Sequence, residues 1–421
     1  MVATDTPYPL AGQAWLEAPE SRRVLTALTA RGRPARFVGG CVRDGLLGTD
    51  QAGNDLDLAT AERPEEVMTL LESAGLGAIP TGLAHGTVTS VLPGWRFEIT
   101  TLRSDVTCDG RHAVVAFTDD FEADAARRDF TINAMSCDGD GRLFDYFGGR
   151  VDLAAGRVRF VGPADQRIAE DALRILRFFR FLAHYGRLPA DPEALRACSD
   201  AAGAITRLSG ERIQTEMMKL LAAADPLPAL RLMAEAGVLA QVTIGAHSLD
   251  RLSRLLELAP DSSVLLRLGA LLRGHPEAAA ALSSRWRMSS RDAERLRVLV
   301  QTPLPDVRAK PQARRRALHQ LGVSRYADLV RLAAAEEERD PRDLLVQALG
   351  DASAWTPRSL PLTGHDAMSL GVEAGPTLGA LLAQVEDWWI ENDFQPDHEA
   401  CLAYLRGLIS HPADDQAPPS P

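Results

Sequence analysis

Apolar positions along the chain change their period partway through. Up to about residue 150, β-rich runs such as Thr87-Val-Thr-Ser-Val-Leu92, Arg96-Phe-Glu-Ile-Thr-Thr101 and Ala113-Val-Val-Ala-Phe117 alternate with glycine-rich turns and short helical patterns. A period of two puts every second side chain on one face of a sheet, so this part predicts an α/β fold. From about residue 164 onward Ala, Leu, Glu and Arg recur at 3.6-residue spacing, broken at Pro226, Pro260, Pro305 and Pro361, which predicts an all-helical remainder. The expected division is an α/β head at 1–150 followed by helical stretches at 151–225, 226–355 and 356–410. The polar, proline-rich stretch 411–421 has too few apolar residues to pack and is expected to be disordered.

Within the head, Phe37-Val-Gly-Gly-Cys-Val-Arg-Asp-Gly-Leu-Leu-Gly48 precedes Asn54-Asp55-Leu-Asp57-Leu58. An apolar run enters Gly39-Gly40 and a helical pattern over Cys41–Leu47 leaves it. That gives a strand, a tight turn and a helix N-terminus, where free N–H groups and the helix dipole favour an anion. Gly48 stands where a glycine closes a helix, and Arg43 adds a guanidinium suited to bidentate phosphate contact. On an extended segment Asp55 and Asp57 share a face and can jointly hold divalent cations, hard ions that take oxygen ligands. Two-metal phosphoryl transfer needs such a pair. Alone, either half is commonly a packing turn or a solvated strand edge; their order and spacing point to nucleotidyl transfer. Glu98, with Phe97 and Ile99 on the opposite face, is the best-placed third carboxylate, its plainer reading being an exposed strand acid.

Two further clusters extend this chemistry. Arg127-Arg128-Asp129-Phe-Thr-Ile-Asn133 could clamp a triphosphate while Asp129 accepts from ribose hydroxyls, or Asp129 could cap a helix with the arginines in solvent. In Glu170-Asp171-Ala-Leu-Arg174-Ile-Leu-Arg177, a continuous helix would set Glu170, Asp171, Arg174 and Arg177 in one arc, with Phe178 and Phe181 one turn on. Such an arc is either an ion-pair ladder or a base-reading edge. A carboxylate only accepts and a guanidinium only donates, so Asp171 with Arg174 matches the amino group and ring nitrogen of cytosine or adenine and opposes guanine and uracil.

The net charge of −11 argues against a polyanionic partner, but its distribution alters that. Residues 281–320 hold ten Arg or Lys, Arg308, Lys310, Arg314, Arg315 and Arg316 among them, against Asp292, Glu294 and Asp306. Beside a nucleotide-handling head, this strip is expected to bind RNA. Five cysteines without a Cys-x-x-Cys, and no apolar run near the ~18 to 20 residues of a membrane span, lead us to expect a reduced cytoplasmic protein off the membrane.

Gly39-Gly-x-Val-Arg-Asp44, Asp55-Leu-Asp57, Arg127-Arg-Asp-Phe-Thr-Ile-Asn-Ala134, Asp145-x-x-Gly-Gly-x-x-Asp152 and Glu170-Asp-x-x-Arg174 stand in the order seen in class II tRNA nucleotidyltransferases, which the chain resembles most over residues 35–220. That family comprises bacterial CCA-adding enzymes and their poly(A) polymerase relatives. The resemblance implies a polymerase-β-like mixed sheet in the head and two Mg²⁺ ions at Asp55 and Asp57. It implies contacts from Gly39, Gly40, Arg43, Arg127, Arg128, Asp129, Asn133 and Arg177 to the nucleotide, with Asp171 and Arg174 as an amino-acid template. CTP and ATP are the implied substrates and the acceptor arm of tRNA the partner, and a monomer is expected. The stretch Thr101–His112, with Arg103, Asp105, Asp109 and Arg111, looks like the flexible loop that such enzymes use in switching from C to A, which favours complete CCA addition over CC-only, A-only or poly(A) synthesis. A small-molecule nucleotidyltransferase would not need so much helix, and a non-catalytic RNA-binding module would have no use for Asp55 and Asp57.

Overall fold

The computed structural model describes residues 8–49, 55–108, 113–245 and 247–410. Its strands are β1 (Ala35–Val38), β2 (Asp55–Thr60), β3 (Ile79–Gly82), β4 (Thr87–Leu92), β5 (Trp95–Thr101), β6 (Arg103–Cys108), β7 (Ala113–Phe117), β8 (Ser136–Cys137) and β9 (Leu143–Phe144). Seven form one sheet in the order β3-β4-β5-β2-β1-β8-β9. Its neighbours are antiparallel except β2 and β5, so the sheet is mixed, as expected. Parallel pairing requires a crossover, and the helix Pro64–Ser73 with β3 and β4 supplies the intervening chain.

Alternation sorts the side chains. Leu56, Leu58, Phe97 and Ile99 are fully buried, while Asp55 and Asp57 between them stay exposed. After β1 the chain turns at Gly39 into the helix Gly40–Leu47, which ends at Gly48 with φ +67°. The segment read as a loop is in part a hairpin. β6 and β7 pair antiparallel from Arg103↔Phe117 to Cys108↔Ala113 as a separate two-stranded sheet. This places Arg103 and Asp105 on a strand; Asp109 and Arg111 lie outside the described residues.

Helices occupy the chain from Gly149 onward. Residues up to Leu249 with His275–Glu294 form one compact unit; Asp250–Gly274 with residues from Arg295 onward form another. The second unit holds two apolar cores, one around Leu318, Tyr326, Val330 and Ala348, the other around Val385, Trp389, Phe394 and Leu405, and Trp355 packs against both. Among the described residues no helix is long and apolar enough to cross a membrane.

Candidate active site

The parallel register pairs Asp55 with Arg96 and Asp57 with Glu98. Paired residues of neighbouring strands point the same way, so three carboxylates and one guanidinium share a face. Arg96 lies 3.9 Å from Asp55 and 3.6 Å from Glu98. Asp57 is an exposed residue, yet protein closing round its carboxyl desolvates it. That effect, then the charge of Glu98 and a smaller push from Asp55, raises its pKa from 3.8 to about 6 against the pull of Arg128 and Arg96. Gly39 adopts φ +72°, a conformation favouring glycine, and a Cβ there would stand 3.4 Å from Arg128 Nη1 and 3.9 Å from Asp57 Oδ2. The turn therefore brings bare backbone against the carboxylate face. Hard oxygens gathered at mutual electrostatic cost are a donor set that a divalent cation fits. Among the described residues no three His, Cys, Asp or Glu side chains converge as a closed metal cage, so the candidate ligands are Asp55 and Asp57, with Glu98 on the neighbouring strand. Nearby Cys41 is no nucleophile: burial, then the charge of Asp57, pushes its thiol up to about 12.

Arg43 is not turned to solvent as a phosphate ligand would be. It is buried, donating to Asp44 at 2.8 Å, to Asn133 Oδ1 at 2.6 Å and to the Tyr185 hydroxyl at 2.7 Å. A guanidinium so engaged ties its helix to the chain around Asn133 and Tyr185. Arg127 and Arg128 both pair with buried Asp124, at 2.7 and 3.3 Å. Asp129 caps no α-helix. Its carboxylate accepts from the Phe130 N–H at 2.9 Å, from Asn133 Nδ2 at 3.1 Å and from Arg177 Nε at 2.6 Å. Burial works against its ionisation, but the Arg177 charge and these donors outweigh it and hold the carboxyl below its usual range. Arg177 and Arg180 also meet buried Glu216, at 3.8 and 3.0 Å.

The continuous helical arc expected through Asp171 does not form. One helix covers Ala164–Glu170 and the next Leu173–Tyr185, with Asp171 extended between them at φ −154°. The Asp171 side chain caps the break: Oδ1 accepts from the Leu173 N–H at 3.0 Å, and Oδ2 pairs with Arg212 at 2.7 Å. Arg174 turns elsewhere, donating to Glu170 at 2.6 Å and to the Arg167 and Arg127 carbonyls at 2.8 and 3.3 Å. The side chains of Asp171 and Arg174 therefore do not pair with each other. Asp171, not Arg174, lines a cavity of about 700 Å³ with Asp200, Arg207, Ser209 and Arg212. Phe178 and Phe181 are buried against Phe130, with Phe160 also against Phe130 and Phe178.

Comparison with known proteins places these elements. Residues 35–159 match the pattern described as the Poly A polymerase head domain, and residues 190–245 match a probable RNA and SrmB-binding site of polymerase A. The human mitochondrial CCA tRNA nucleotidyltransferase 1 is 33% identical over 417 residues, covering 92% of this chain and 90% of the human one. The chain belongs to the CCA tRNA nucleotidyltransferase family. The CCA-adding enzyme of Streptococcus sanguinis is 32% identical over 406 residues, covering 92% of this chain and 97% of its own. The crystal structure of the Bacillus stearothermophilus CCA-adding enzyme in complex with CTP superposes with a TM-score of 0.72 at 27% identity, covering 94% of this chain and 99% of that one.

In this member of the family the basic strip is not uniformly open. Arg314 is buried and donates to Asp351 at 2.6 Å, Arg315 is bound to Asp393 at 2.7 Å, and Arg308 pairs with Glu337 at 2.8 Å. Lys310 and Arg316 are exposed. Arg314 and Arg315 thus serve as structural ion pairs, because their helix turns one face inward. Two residues of interest escaped the sequence reading. Arg212 stands apart from the motifs singled out there, and Arg96 entered only as the first residue of the β-rich run that contains Glu98.

Proposed function

We propose that this chain adds C, C and A to the 3′ end of tRNA from CTP and ATP without a nucleic-acid template. The observation that supports this reading most is the β2–β5 register, which gathers Asp55, Asp57 and Glu98 on one face beside the Gly39 turn. In each cycle the RNA 3′-oxygen forms a bond to the α-phosphorus, the α–β phosphoanhydride breaks, pyrophosphate leaves, and the hydroxyl proton passes to water. Two divalent ions, Mg²⁺ in this proposal, held by Asp55 and Asp57 with Glu98 alongside, would stabilise charge on the attacking and leaving oxygens. Gly39 and Gly40 leave the backbone open to the triphosphate, Arg127 and Arg128 clamp it, and Asp129 with Asn133 and Arg177 orients the ribose.

Base choice rests in this reading on Asp171 and Arg174. Once Asp171 leaves Arg212 and Arg174 leaves Glu170, an acceptor and a donor reward C and A, and a mismatched base leaves the protein's own polar groups unpaired. The helical body receives the acceptor arm, with Arg308, Lys310 and Arg316 toward phosphates. The division into head 1–150, neck 151–225, body 226–355 and tail 356–410, a monomeric state and a cytoplasmic location belong to the same proposal. The decisive experiment incubates the protein with Mg²⁺, tRNA lacking its 3′ end and each NTP singly and together, then sequences product ends. CC from CTP alone and CCA from CTP with ATP are expected. The match to a poly(A) polymerase head keeps a second reading, which a run of A would reveal; no incorporation at all would overturn both.

A further inference from the structure

Two guanidiniums border the carboxylate face, and they are held differently. Arg128 is tied back to Asp124 at 3.3 Å and to the Asn133 carbonyl at 3.4 Å. Arg96 has only carboxylates of the face itself as charged partners among the described residues, Asp55 at 3.9 Å and Glu98 at 3.6 Å. The contact is no accident of a wandering side chain, because backbone pairing sets Arg96 directly beside Asp55 just as it sets Glu98 beside Asp57. Yet its side chain is 51% exposed and both separations exceed hydrogen-bond length, so charge alone holds it. Exposed pairs of this kind are weak and readily displaced.

A cation held by Asp55 and Asp57, with Glu98 on the neighbouring strand, would have this positive charge as a neighbour. We propose that Arg96 is a positioning residue that occupies the carboxylate face while it is metal-free, holding Asp55 and Glu98 apart from each other's charge and keeping the affinity for a free divalent ion low. A nucleoside triphosphate brings negative charge that offsets both Arg96 and the ion, so metal and nucleotide enter together and the free protein is not preloaded. The inference rests on the metal-binding reading of Asp55 and Asp57.

The test is Mn²⁺ binding by calorimetry to the full chain without nucleotide, in wild type, Arg96→Gln, Arg96→Lys and Asp57→Asn. Removing a unit charge about 4 Å from the ligands should tighten Mn²⁺ binding of Arg96→Gln by about tenfold. Arg96→Lys keeps the charge and should stay near wild type, and the gap should narrow when a non-hydrolysable CTP analogue is present. Equal or weaker Mn²⁺ binding by Arg96→Gln overturns the proposal, as does equal tightening in Arg96→Lys. If Asp57→Asn binds Mn²⁺ like wild type, the metal reading itself fails; if it loses binding while Arg96→Gln is unchanged, only the role of Arg96 falls.

Discussion

Asp57 is kept in a charge state that the fold alone disfavours, since desolvation and Glu98 raise its pKa to about 6. A residue kept for chemistry at the expense of stability should reveal itself when neutralised. Asp57→Asn is expected to abolish nucleotide addition in single-turnover assays while raising the melting temperature of the metal-free protein in chelator at neutral pH; a lowered melting temperature would make the carboxylate structural. Asp129 is the opposite case, its pKa held down by Arg177 and by amide donors against burial. A depressed carboxyl contributes stability that is present above the unfolded pKa, about 4, and lost as pH falls through the folded value. Asp129→Asn should therefore cost about 1–3 kcal/mol at pH 7, the loss of a buried charged bond. Its deficit against wild type should shrink on acidification below about pH 4 in denaturant titrations.

At the level of elements, the helix beginning at Pro311 separates packing from recognition within three consecutive arginines. Arg314→Glu should destabilise by about 1–3 kcal/mol, because a buried guanidinium paired with the partly exposed Asp351 is replaced by a carboxylate that repels it. Arg316→Glu should leave the melting temperature alone and reduce the salt slope of tRNA binding by about one; an unchanged slope would move the tRNA elsewhere. The β6–β7 hairpin allows a similar dissection. Replacing Asp105–Arg111 by a short glycine linker should leave C addition intact and stop the terminal A, since the hairpin forms its own small sheet outside the catalytic one; equal loss of C and A would make it merely structural. The alternation in β2 and β5 was legible in the sequence because a two-residue period is local. The break at Asp171 was not. Asp171 pairs with Arg212, 41 residues away, and that partner together with the Leu173 N–H favours an extended residue where local spacing reads as helix. Arg314 was misread for the same reason: a run of arginines reads as surface until the turn of the helix and Asp351 are known.

For the molecule as a whole, the change from two-residue to 3.6-residue periodicity correctly divided an α/β head from a helical remainder. What periodicity could not convey is which residues complete which unit. Arg43 reaches Tyr185 and Asp129 reaches Arg177, so the α/β part shares partly buried polar bonds with the helix Leu173–Tyr185. The unit containing them is also discontinuous, leaving at Leu249 and resuming at His275–Glu294, where Arg287 pairs with Glu211 at 2.7 Å. During synthesis, then, no emerging N-terminal fragment is a finished unit until residue 294 has left the ribosome, although every residue assigned here to metal, triphosphate and base precedes residue 178. Such late closure lengthens the interval in which unpaired strands and apolar helices stand exposed. Overproduction of a shortened chain ending near residue 225 or 249 should consequently meet aggregation before it meets any loss of chemistry.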